Sequence, residues 1–400
     1  MWINREEARE DFLTIEETES KLRGIGLLLA GHTPARRLTP FSLSEGEISV
    51  YRFYKKFILD KAGMLVDFLV EVAKKRKRLT TLVRERLNVK KTWKKEEWLK
   101  EVVAGVDAGV NGKDLILGYM PIAGAVAAVF QGFKRLDEPI VVVQCEQPLW
   151  VDEGEPTLRS SLLGFYLQFT AAYEAVKKWE PSFLLFDGPI VLSPSLIPRK
   201  QFSEGYKRLF RKTVYACLKL FFRCERLGTK LIGFVKRCRS ARISKILGLN
   251  PLMSDLALLG CTLNPGEYTK SLPVDNAGLG FYREIASSIG IEVPEFYSFY
   301  INTGFIYRVE IPGSHLKELE NLSSLLLTLA DPKTGIPFPI SEVDMFTRIS
   351  RPTTDICYLT LYRRVLGLIK DGVLSPEDVN LVFPQFGEKI KLEAPGGAKT

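Results

Sequence analysis

The sequence predicts an α/β fold, a mixed central sheet flanked by helices, with a helical N-terminal extension. Two observations carry the prediction. From Val102 onward, short apolar runs bounded by turn residues alternate with amphipathic stretches, the pattern of strands covered by the helices that follow them. Two of those runs end in an acid followed by small turn-formers: Val102-Val103-Ala104-Gly105-Val106-Asp107-Ala108-Gly109 and Phe183-Leu184-Leu185-Phe186-Asp187-Gly188-Pro189. A carboxylate at the tip of a buried strand, beside glycine that lets another group approach, is a common way to hold a divalent metal. The pair predicts one shared metal site. Three segments follow: a basic helical region over 1–100 that could dimerise, a core over 101–350, and a C-terminal helical segment with a disordered tail over 351–400.

Residues 1–100 read as mostly helical because apolar residues recur at three- and four-residue spacing over Glu16–Leu29 and Ile48–Lys77. Tyr51, Tyr54, Phe57, Ile58, Met64, Leu65, Phe68 and Leu69 form a stripe suited to packing or to a dimer seam. Between Lys74 and Lys100 twelve basic residues stand against three acids. A second basic run extends from Arg199 to Lys245. With a formal net charge of +9, the two runs point toward a polyanion, although solvated helix faces also carry such runs. The candidate nucleic-acid contacts are Lys74, Lys75, Arg76, Lys77, Arg208, Arg211, Lys212 and Arg237.

The core opens with strand runs at Val102–Val106, Leu115–Leu117, Ala123–Phe130 and Ile140–Cys145, with a turn expected at Val110-Asn111-Gly112-Lys113. A helix over Leu158–Trp179, stopped by Pro181, feeds the strand that ends at Asp187. A basic helix over Phe202–Arg226 and a strand over Lys230–Val235 come next. The aromatic segment Phe296–Ile311 reads as a hairpin turning at Asn302-Thr303-Gly304. Helices over His315–Ala330 and Ser341–Arg348 complete the core.

Hydrolysis assisted by two metals needs several converging carboxylates. Asp107 and Asp187 supply two, and Glu174, the only acid on Leu158–Trp179, is the candidate third. Lys236, just past its strand, could steady a phosphate. Glu342 and Asp344 open the last expected helix, where an acid also suits the helix dipole. The aromatics of Phe296–Tyr307 suit either base stacking or a sheet core.

Composition narrows the chemistry. Six cysteines without a C-x-x-C pair and two histidines, His32 and His315, leave a zinc site almost no ligands. A working metal is therefore oxygen-ligated, which suits Mn²⁺ or Mg²⁺. The chain has no G-x-x-x-x-G-K-[ST] loop, no G-x-G-x-x-G after a strand and no G-x-S-x-G elbow, which argues against ATP hydrolysis, a dinucleotide fold and an α/β-hydrolase. No apolar run of membrane-spanning length and no signal segment is found, so a cytoplasmic, membrane-free protein is expected.

Taken in order, these landmarks resemble the NurA nuclease family of archaea and some bacteria. The likeness runs through Gly105-Val106-Asp107-Ala108-Gly109, Leu184-Leu185-Phe186-Asp187-Gly188-Pro189, Val235-Lys236-Arg237, Tyr307-Arg308-Val309-Glu310-Ile311-Pro312 and Gly335-Ile336-Pro337-Phe338-Pro339-Ile340. The resemblance implies an RNase H-like core and a Mn²⁺-dependent nuclease acting on DNA ends. It also implies a homodimer and a hexameric HerA-type ATPase as partner in end resection and repair. It carries Asp107 and Asp187 over as metal ligands and leaves Glu174 about a turn from the family's helix glutamate, which falls near Thr170. The family's tyrosine is Ile336 here, and its histidine is Asp344, which can also ligate a hard metal. These departures keep open a second reading, a catalytically impaired NurA-like subunit that binds DNA or the ATPase without cutting.

Overall fold

A computed structural model describes residues 45–143, 149–151, 154–238, 240–249, 253–274, 279–288 and 290–375, with side chains from residue 62 apart from 68 and 72. The expected Glu16–Leu29 helix, His32, Cys145 and the C-terminal tail lie outside those residues, as do most side chains of the apolar stripe. The chain divides into two units, residues 1–74 and 75–400, and helix α1 (Glu45–Leu87) crosses the division. Met64, Leu65 and Leu69 of the stripe are exposed.

The second unit is built on a sheet of eleven strands among the described residues. They are β1 (Lys90–Lys91), β2 (Val102–Leu115), β3 (Gly118–Gln131), β4 (Lys134–Arg135), β5 (Ile140–Val143), β6 (Phe183–Asp187), β7 (Lys230–Val235), β8 (Glu267–Tyr268), β9 (Leu272–Pro273), β10 (Phe296–Asn302) and β11 (Ile306–Pro312). Their order is β1-β8-β10-β11-β7-β6-β2-β3-β4, with β5 beside β3 and β9 beside β10. The hairpin β2–β3 is antiparallel, whereas β2, β6 and β7 run parallel. A meander followed by two parallel strands on its first member is the expected RNase H-like mixed sheet. The helices are α2 (Pro156–Trp179), α3 (Glu204–Leu227), α4 (Arg242–Ile246), α5 (Asp255–Gly260), α6 (Leu279–Ser288), α7 (Leu319–Leu329), α8 (Phe338–Thr347) and α9 (Arg351–Lys370).

Alternation along the strands assigns each residue to one of two cores. Ala104, Val106, Leu184, Phe186 and Leu231 pack under α2, α3 and α6. Val103, Phe183, Leu185, Ile232 and Phe234 face the other way, onto α7 and Ile340 of α8. By the same parity Asp107 and Asp187 belong to the α8 face. The sheet is thus covered on both sides, as its apolar central strands require.

Two expectations shift, and one alternative is decided. Asn111-Gly112 lies inside β2 rather than in a turn, and the hairpin turns at Ile116-Leu117. The polar residues are accommodated because the Asn111 side-chain oxygen accepts the Gly112 N–H at 2.8 Å and its amide donates to the Ile349 carbonyl at 3.3 Å. The last expected helix begins at Phe338, three residues early, since Pro339 sits in a first turn that needs no internal N–H donor. The aromatic hairpin is core: Phe296, Phe299, Tyr300 and Tyr307 are buried. Among the described residues no helix is long and apolar enough to cross a membrane.

Candidate metal centre

The parallel register of β2 and β6 ends at Val106↔Phe186, so Asp107 and Asp187 follow side by side on one face. Asp187 is the last residue of β6. Asp107 is not at the end of its strand, because β2 continues as the hairpin with β3. Gly188 turns the chain with φ +114°, a conformation few other residues adopt, and donates its N–H to the Phe234 carbonyl at 2.9 Å. The loop beyond is held by buried Glu310, whose carboxylate accepts the Ile190 N–H at 2.9 Å and pairs with Arg308 at 2.8 Å. That contact accounts for the Arg308-Val309-Glu310 motif.

Helix α8 brings the third acid. Gly105, Asp107 and Gly109 lie on one face of β2, and both glycines are there for close approach. A Cβ on Gly105 would stand 2.4 Å from the Pro339 carbonyl oxygen, and one on Gly109 would stand 1.6 Å from that of Thr347. The helix therefore rests directly on the strand. Thr347 Oγ1 donates to Asp107 Oδ2 at 2.5 Å, and Asp344 comes to face Asp187. Asp344 lies near the helix C-terminus, so the dipole does not favour it there. Its partner is Lys236, which follows β7 and places Nζ 2.7 Å from Asp344 Oδ1 and 2.6 Å from Asp187 Oδ2.

One carboxylate oxygen from each of Asp107, Asp187 and Asp344 lies within 4.8 Å of the others. Three acids facing one ammonium leave an uncompensated negative charge. Burial, and then the Asp107 carboxylate, push the Asp187 carboxyl up to about 7. Burial raises Asp107 as well, against the Thr347 hydrogen bond. For Lys236, burial opposes the charged form, but Asp187 and Asp344 outweigh it and raise its pKa. An all-oxygen set with surplus negative charge fits a hard divalent cation such as Mn²⁺ or Mg²⁺.

Glu174 is not brought to this cluster. Its helix covers the opposite face of the sheet, and its carboxylate sits 3.8 Å from Lys177 at the surface. The α2 side chain that does reach the strand ends is Gln168, whose amide donates to the Val106 carbonyl at 3.1 Å and the Asp187 carbonyl at 2.9 Å. Glu174 is six residues on, about 240° around the helix and about 9 Å along it. Gln168 and Thr347 escaped the sequence reading. The signal for Gln168 was a lone amide on the stripe Gly164, Gln168, Ala171, Ala175, and for Thr347 a hydroxyl three residues after Asp344. Ile336 packs against the apolar core under α7.

The basic candidates fall in separate places. Lys74, Lys75, Arg76 and Lys77 are exposed on α1, and Arg76 donates to the Cys261 carbonyl at 3.0 Å. Arg208, Arg211 and Lys212 are exposed on α3, and exposed Arg237 adjoins Lys236.

The NurA domain family model matches residues 101–349. The chain is similar in structure to the NurA nuclease from Sulfolobus solfataricus, with a TM-score of 0.57 and 18% identity over 78% of this chain and 97% of that one. It is also similar to a NurA bound to dAMP and manganese, with a TM-score of 0.44 and 13% identity over 74% of this chain and 94% of that one. No curated protein matches the sequence.

Proposed function

Because the chain belongs to the NurA family, we propose that it is a metal-dependent deoxyribonuclease whose site is Asp107, Asp187 and Asp344. The observation that carries this reading is the convergence of their oxygens within 4.8 Å where the parallel pairing of β2 with β6 ends and α8 lies across it. A bound Mn²⁺ or Mg²⁺ would supply Lewis-acid activation of water and neutralise charge developing on the phosphodiester. The protein's own groups do the positioning. Gln168 fixes the strand ends, Thr347 fixes one oxygen of Asp107, and Gly105 and Gly109 set the height of α8. Lys236, now paired with Asp187 and Asp344, would offer its ammonium to the phosphate if a bound cation supplied the counter-charge those acids need. Arg237, beside it, and the exposed bases of α1 and α3 would hold DNA further out.

Family membership supports the wider reading: a homodimer that works with a HerA-type hexameric ATPase in DNA end resection. A second reading has a specific observation in its favour. Lys236 already bridges Asp187 and Asp344, and the phenol and imidazole typical of the family are Ile336 and Asp344. A subunit that binds DNA or the ATPase without cutting would show the same arrangement.

End-labelled single- and double-stranded DNA with Mn²⁺, Mg²⁺ or EDTA separates the two. The nuclease is expected to cut only with metal, while Asp107→Ala and Asp187→Ala reduce cutting to background and leave DNA affinity within about twofold. Cleavage that survives both substitutions removes this mechanism. Absence of cutting by the wild-type protein, with DNA binding retained, establishes the second reading.

A further inference from the structure

Helix α3 has one face for the core and one unlike an ordinary solvent face. Phe210, Val214, Cys217, Phe221 and Cys224 are buried. On the other side Arg208, Arg211, Tyr215, Lys219, Phe222 and Arg226 are all exposed. At 100° per residue these six fall within about 80° of arc, and they extend for about 27 Å. Tyr215 and Phe222 are each 44% exposed. Both have cations beside them: Lys219 Nζ is 5.7 Å from the Tyr215 ring centroid and Arg226 is 5.8 Å from that of Phe222. Lys219 also stands 4.8 Å from the ring of Tyr173 on α2.

Cations alone would suit any polyanion, duplex DNA included. Rings interleaved with cations suit a polyanion whose flat apolar groups are unpaired and open to stacking. The direction of the helix adds to this. Strand β6 ends at Asp187 and β7 starts at Lys230, so α3 returns from the carboxylate end of the sheet to the other end. Its exposed face therefore begins at the carboxylate end of the sheet and runs toward the other end, on the side opposite α8. We propose that the exposed face of α3 is a track for single-stranded DNA, with Arg208, Arg211, Lys219 and Arg226 on phosphates and Tyr215 and Phe222 stacked on bases. The choice of DNA as the polyanion rests on the nuclease reading.

The test is the anisotropy of a labelled 20-nucleotide oligo-dT in EDTA, where no cutting interferes. Stacking contributes about tenfold or more per ring, so Tyr215→Ala with Phe222→Ala should weaken binding about a hundredfold, whereas duplex of equal length changes less than threefold. Tyr215→Trp with Phe222→Trp should restore affinity and keeps the test valid if the alanine pair melts early. Arg208→Glu with Arg226→Glu should flatten the dependence of log affinity on log salt by about 1.4. Unchanged oligo-dT affinity in the alanine pair overturns the track, as does an equal loss on duplex. A changed sedimentation coefficient with wild-type affinity makes the face a contact between copies. Binding of phosphatidylserine vesicles in preference to oligo-dT makes it a membrane surface. The nuclease reading fails separately: wild-type protein that holds oligo-dT in EDTA but does not cut it with Mn²⁺ keeps the track and loses the enzyme.

Discussion

Asp187 shows what it costs to gather acids before a cation is present. Burial, and then Asp107, raise its carboxyl to about 7 in the folded protein, above the ordinary value of 3.8. The folded state then holds this proton more tightly than the unfolded chain does. The group's contribution to stability is therefore most favourable below about pH 4 and is lost as pH rises toward 7. In EDTA the melting temperature should fall between pH 5 and pH 8. Asp187→Asn, which cannot ionise, should flatten that slope and melt higher than wild type at pH 8. Two superimposable profiles would show that the charge at Asp187 is compensated in some other way. Lys236 softens the repulsion but does not cancel it, being one ammonium among three carboxylates.

At the scale of elements, the fit of α8 on β2 decides whether the site exists. A methyl at position 109 would meet the Thr347 carbonyl oxygen at 1.6 Å, and a backbone atom cannot rotate aside. Gly109→Ala must push the C-terminal turn of α8 off the strand, and with it Thr347 and Asp344. Overpacking of this kind costs about 1–3 kcal/mol. Gly248→Ala, at an exposed loop glycine with open space around it but φ +63°, is a comparison that perturbs backbone without touching the site. Urea denaturation should show the loss for Gly109→Ala, and calorimetry should show Mn²⁺ affinity falling at least tenfold, while the position 248 variant keeps its Mn²⁺ affinity. Normal metal affinity in Gly109→Ala would mean that α8 is not needed for the site.

Much of this pairing was legible beforehand. Period-two alternation puts Gly105, Asp107 and Gly109 on one face, and Asp187 and Lys236 on the matching face of their strands. What the sequence did not reveal was which face each helix covers. Without that, the third carboxylate reads as Glu174, with Asp344 as an auxiliary ligand, and the placement of α2 and α8 on opposite sides exchanges the two. The amide of Gln168 was hidden for another reason. Its two partners are backbone carbonyls, and backbone acceptors leave no mark on a sequence. The β2–β3 turn was misplaced because Asn-Gly is a strong turn signal, overridden here by a side-chain contact to residue 349.

At the scale of the molecule, the three carboxylates come from positions 107, 187 and 344, so a cation held by them would tie together segments that are remote in the chain. Anything that binds the folded state alone stabilises it by mass action, about 2.7 kcal/mol at a hundredfold excess over its dissociation constant. For the unit that carries the sheet, Mn²⁺ should therefore raise the melting temperature by several degrees at pH 8. The effect should be smaller at pH 6, where the raised pKa of Asp187 leaves more of it protonated than at pH 8 and a cation must displace that proton. Asp344→Ala separates the contributions. It removes one ligand from α8 but leaves the pair on β2 and β6, so the Mn²⁺ shift should shrink without vanishing, whereas Asp187→Asn should abolish it. The comparison also reports on Lys236, which loses one of its two carboxylate partners in Asp344→Ala. If Asp344→Ala binds Mn²⁺ as tightly as wild type, the cation is held by the strands alone and Asp344 serves to park Lys236. If Mn²⁺ shifts the melting of Asp187→Asn as much as that of wild type, the metal sits elsewhere and the three converging carboxylates are not its site.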